Sequence, residues 1–213
     1  QPPNLPTSQP PNLPTSQPPN LPTSHTFPDM NLCFAVLYHE PAWTDPRAYL
    51  DATVLHRHLP EGLAARGHDV GVVVLFGGSH RFRQGGVSYV FVPAPAGVRA
   101  VAAVAGRVLG RPGALFEPAT GAVRAIRRMR PDVVHFHGTH LHLNLLLLAW
   151  LGGRAPLVVH SHGGFVPGRA VVRALHRRTI DPHDRFLLNT PDHTAPIFAA
   201  RLIQHPARDL PIK

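Results

Sequence analysis

With 213 residues and 44% hydrophobic content, the chain has room for one medium α/β domain plus a tail, and enough apolar residues to fill a core. The formal charge is +9, nearly all of the positive charge being arginine; this favours phosphate-bearing substrates or an anionic membrane surface, although a GC-rich genome produces the same excess. Nucleic acid is disfavoured by the lack of a zinc finger, an RNP-like segment or an aromatic-interleaved basic run; a lone cysteine, Cys33, rules out an intrachain disulfide framework; and no apolar run reaches bilayer length.

In chain order, residues 1–24 are three copies of QPPNLPTS. Proline at this density cannot build a core and favours extended polyproline II, so 1–29 read as a disordered tail. An exact tandem repeat also fits a duplication in the DNA upstream of a natural start at Met30. Asn31–Tyr38 read as a buried strand, followed by the polar loop His39–Arg47. A helix is expected over Ala48–Arg66, with Leu55, Leu59 and Leu63 on one face, an awkward Pro60 that suggests a kink or two shorter helices, and Gly67 as its stop. Asp69–Phe76 is a second buried strand, Gly77–Gly86 a loop, and Val87–Val92 a third strand at a sheet edge. Helices follow over Ala96–Leu109 and Pro118–Met129, the second basic and amphipathic with Val123, Ile126 and Met129 inward.

The chain is organised around Pro131–Gly164. Asp132–Phe136 and Pro156–His160 are short apolar strands, and Leu141–Leu151 is a buried helix stopped by Gly152-Gly153, which makes a βαβ unit of a parallel sheet. Beyond it the pattern predicts a helix near Arg169–Arg178, a short strand at Arg185–Asn189 and a helix from Thr190 to about Ile203. The alternation indicates an α/β fold: a Rossmann-like, doubly wound, mostly parallel sheet over residues 30–205.

No dinucleotide fingerprint, Walker A sequence or G-x-S-x-G elbow is present, which removes most nicotinamide, P-loop and hydrolase readings. Histidines carry the main signal. The two strands of the βαβ unit end alike, as His135-Phe136-His137-Gly138 and His160-Ser161-His162-Gly163, and in open α/β sheets ligands bind beyond such carboxyl ends. Members of each pair are two apart on a strand and so share a face. His-x-His is metal-ligand spacing, but no Asp, Glu or Cys between Val133 and Ile180 completes a hydrolase-type set, so no metal is expected. His135 and His160, the inner members, are expected to be packed and hydrogen-bonded, and His137 and His162 to stand where the backbone opens towards a ligand.

The ordered set RGHDV, RPDVVHFHG and PLVVHSHGG, with QGGVSYVFV and DRFLLNTPDHTAPIFAARLI, resembles the N-terminal domain of glycosyltransferase family 4 over roughly Met30–Ile203. The resemblance implies the acceptor-side half of a GT-B fold, a retaining enzyme that uses a nucleotide sugar as co-substrate, no other cofactor, and a glycan, lipid or small-molecule acceptor. It implies His137 as the catalytic residue facing the transferred sugar, with Gly138, His162 and Gly163 lining the same cleft. His39 opens the loop that replaces the glycine pair many members carry, and is a further substrate-binding candidate. Residues 206–213 would begin an interdomain linker, with a donor-binding domain beyond them. The expected location is cytoplasmic, with peripheral contact to the cytoplasmic face of a membrane. The rival readings are a non-catalytic α/β binding module and a His-rich metal-dependent hydrolase.

Overall fold

The computed structural model describes residues 29–39, 42–109, 117–137, 142–153, 155–161, 185–188 and 202–203. In chain order these form β1 (Asn31–Val36), α1 (Pro46–Ala52), α2 (Val54–Ala64), β2 (Asp69–Phe76), β3 (His80–Gln84), β4 (Val87–Pro93), α3 (Ala96–Leu109), α4 (Thr120–Met129), β5 (Val133–His137), α5 (His142–Leu151), β6 (Leu157–Ser161), β7 (Arg185–Leu188) and β8 (Leu202–Ile203). The strands make one sheet in the order β3-β4-β2-β1-β5-β6-β7-β8, parallel except for the β3–β4 pair. The order reverses between β1 and β5, so the switch point of a Rossmann-like doubly wound sheet lies there.

Strand alternation divides the core into two layers. Cys33, Ala35, Leu37, Val73, Leu75, Val134, Phe136 and Val159 pack with α4 and α5 through Ala122, Val123, Ile126, Leu145 and Leu148. Phe34, Val36, Val70, Val72, Val74, Phe76, Tyr89 and Phe91 pack with Tyr49 and Leu50 of α1. The exposed residues of α4 include Arg124, Arg127 and Arg128, and the last two lie in its final turn, where they complement the helix dipole.

The expected helix over Ala48–Arg66 is two helices, and the break falls at Thr53 rather than at Pro60. Asp45 caps α1 by accepting from the Arg47 and Ala48 N–H groups, with Pro46 in the first turn. The Thr53 hydroxyl then donates to the Tyr49 carbonyl at 2.7 Å, and a β-branched residue at φ −108° and ψ 72° ends the turn. Pro60 lies buried inside α2.

The expected loop over Gly77–Gly86 contains β3. Gly85 and Gly86, with φ of 55° and 80°, form the two-residue hairpin that joins β3 to β4. HRFRQ has one large apolar residue, Phe82, whose ring stacks on Tyr89 at 5.4 Å and Phe91 at 5.8 Å. β4 is therefore an interior strand, not an edge. Leu202–Ile203, expected to end a helix, pair in parallel with β7. The expected helices near Arg169–Arg178 and from Thr190 to 201 lie outside the described residues.

Candidate functional site

The site forms on the face of β1, β5 and β6 that continues the Phe34 layer. Phe34 pairs in register with His135, and His137 with His160, so the apolar positions of β1 give way to imidazoles on β5 and β6. The two His-ended strands are neighbours, as their sequences implied. Ring centroids lie 4.5 Å apart for His135 and His137, and 5.3 Å apart both for His135 and His160 and for His137 and His160. Phe34 lies 4.9 Å from His135 and 6.1 Å from His137.

His160 is buried as expected, while His135 and His137 exchange the expected order of burial. His137 is 4% exposed and His160 5% exposed, whereas His135 is half-buried. His56 of α2 meets His137 edge to face, with centroids 4.9 Å apart and planes at 85°. A nitrogen from each of His135, His137 and His160 lies within 4.8 Å of the others, a three-imidazole donor set that could hold an ion such as zinc. Among the described residues no carboxylate or thiol joins that set.

Across the switch point, His39 follows the end of β1. It is buried, with Nδ1 3.5 Å from Oε2 of the equally buried Glu117, and Nε2 turned towards Gly77 at the end of β2. Asn144 of α5 braces this side. Its Nδ2 donates to the Leu37 carbonyl at 2.7 Å and the Glu117 carbonyl at 3.0 Å, and its Oδ1 accepts from the Ala119 N–H at 2.8 Å. One fully buried amide thus ties the end of β1 to the approach to α4 and to α5.

Of the sequence candidates, His137 and His39 stand at the carboxyl ends of β5 and β1. Gly138, His162 and Gly163 lie outside the described residues. Sequence reasoning missed Tyr49, His56, Glu117 and Asn144. Only Asn144 left a signal, a lone amide in the leucine run His142–Leu151, which a buried helix tolerates where its hydrogen bonds are met.

The topology defines a Rossmann-like α/β domain whose strand order reverses at the β1/β5 switch point. Glycosyltransferase Family 4 matches residues 52–195, and the chain belongs to that family. Comparison with curated proteins finds no match. Among solved structures, the chain is similar to an alpha,alpha-trehalose-phosphate synthase (UDP-forming) from Burkholderia vietnamiensis, with 13% identity, a TM-score of 0.45, and coverage of 76% of this chain and 40% of that one. It is also similar to an alpha,alpha-trehalose 6-phosphate synthase from Burkholderia multivorans, with 16% identity, a TM-score of 0.39, and coverage of 77% and 41%. The chain thus spans about two-fifths of the length of these structures. Among the described residues no helix is long and apolar enough to cross a membrane.

Proposed function

We propose that this domain is the acceptor-side half of a glycosyltransferase that moves a sugar from a nucleoside diphosphate donor to a hydroxyl of a glycan, lipid or small molecule, with retention of anomeric configuration. Family membership supports the reaction class, and the position of His137 beside the switch point is the observation that carries the reading. A second domain following this one holds the nucleotide. The bond from the anomeric carbon to the leaving phosphate breaks, the acceptor oxygen bonds to that carbon on the same face, and the leaving phosphate takes the acceptor proton. No protein nucleophile, metal or prosthetic group is needed. His137 donates a hydrogen bond to the transferring sugar as charge develops on it, and one ring N–H at a strand end suffices for that. Gly138, His162 and Gly163 would bind substrate beside His137, and His39, whose Nδ1 lies 3.5 Å from Oε2 of Glu117, is a further substrate-binding residue in this reading. The protein is cytoplasmic, and the exposed arginines of α4 suit peripheral contact with an anionic membrane.

The test is transfer by the full-length protein from a panel of nucleotide sugars, with the anomeric configuration of donor and product read by proton NMR. The expected outcome is transfer with the donor's configuration kept. An inverted product, or binding of carbohydrate with no transfer from any donor, would reject it, the latter in favour of a binding module.

A further inference from the structure

We propose that Tyr49 and His56 form a positioning pair for His137: the Tyr49 hydroxyl donates to Nδ1 of His56, keeps that ring's proton on Nε2, and locks the imidazole that packs against His137. The proposal rests on the reading of His137 as the sugar-facing residue. Tyr49 Oη lies 2.7 Å from His56 Nδ1, and the two rings stack at 5.8 Å with planes 26° apart. In an unbroken helix, residues seven apart are about 10.5 Å apart along the axis. The break at Thr53 between α1 and α2 lets them meet.

The tyrosine is a fixed anchor. It is buried, with Phe76 and Phe91 edge-on at 6.0 Å each and Trp43 at 6.3 Å. Burial pushes its hydroxyl well above the ordinary phenol range, so it stays protonated and able to donate. A neutral imidazole that accepts at Nδ1 must carry its proton on Nε2. From this anchor His56 reaches His137, 4.9 Å away and perpendicular to it. Phe34, His135 and His160 wall His137 from the sheet, where the strand ladder already fixes them. His56 comes from a helix, and the Tyr49 hydroxyl gives it a fixing contact. In this account Tyr49 and His56 act through His137 and are positioning residues.

The experiment is long-range proton–nitrogen NMR of the histidine rings in the substrate-free chain, wild type and Tyr49→Phe, which keeps the ring packing and removes the hydroxyl. Wild-type His56 is expected as one tautomer, with Nδ1 in the unprotonated class. In Tyr49→Phe that nitrogen should move towards the average of both tautomers, and the His137 ring signals should shift and broaden while backbone signals of β1 and β2 hold. Unchanged His137 signals in Tyr49→Phe, or a proton on Nδ1 of wild-type His56, would overturn the proposal. Should the variant fail to fold, the wild-type tautomer decides. No sugar is present, so a positive result together with absent transfer would count against the functional reading and leave the pairing intact.

Discussion

His137 and His160 are register partners on adjacent parallel strands, both buried, with ring centroids 5.3 Å apart. With His135 they make a donor set that zinc could use. We expect the purified, tag-free protein to hold no stoichiometric zinc, because an ion on His137 would occupy the nitrogen through which the proposed transfer works. Elemental analysis checks this. About one equivalent of zinc, removed by chelators with loss of fold, would instead make the cluster a structural metal centre.

Asn144→Leu should destabilise the fold strongly. The leucine fills much of the space but leaves the Ala119 N–H and the Leu37 and Glu117 carbonyls without that partner. Each buried polar group left unsatisfied costs about 1–3 kcal/mol, so a loss of roughly 3 kcal/mol or more is expected from urea unfolding midpoints. A change within about 0.5 kcal/mol, the usual range for surface substitutions, would show that the amide braces nothing.

Stability should fall in alkaline solution. Burial pushes the Cys33 thiol from 9.0 up to about 12. Burial, then the nearby Glu61 carboxylate, push the Tyr89 phenol from 10.0 up to about 12, and burial raises Tyr49 as well. These groups ionise more readily in the unfolded chain, so their contribution is complete below about pH 9 and is lost as pH rises towards 12. Lys213 is the sole lysine, so lysine titration adds little to this slope. Urea midpoints should decline over that window, and less steeply in Cys33→Ala. A flat profile would contradict the burial argument.

The sheet was legible in the sequence where burial on both faces writes a continuous apolar run. β1, β2, β4, β5 and β6 were placed to within a residue or two, and Gly67 and Gly153, with φ of 96° and 112°, stand just past the ends of α2 and α5 as their type suggested. β3 was not legible, because a strand paired on one side and carrying one large apolar residue reads as a loop. The break at Thr53 was not legible either: proline is the stronger local signal, but Pro60 is accommodated and the non-helical backbone of Thr53 ends α1. Within the site, the paired His-x-His ends announced themselves. The packing of His56 against His137 did not, since it depends on a tertiary contact between α2 and β5, and neither did Glu117 or the Tyr49–His56 pair, which only tertiary contact brings to the switch point.

The central claim is that His137 acts on the transferring sugar, and the most direct measurement is the kinetics of His137→Ala in the full-length protein. On the proposed reading a second domain holds the nucleotide, while His137 stands at the carboxyl end of β5. Its interaction should strengthen as charge develops on the sugar, so its loss should appear in kcat and not in donor affinity. Loss of one well-placed donor to a transition state costs on the order of 100-fold in rate. The account predicts a fall of about that size in kcat with nucleotide-sugar Kd nearly unchanged; near-normal turnover, or a loss of affinity equal to the loss of rate, would contradict it.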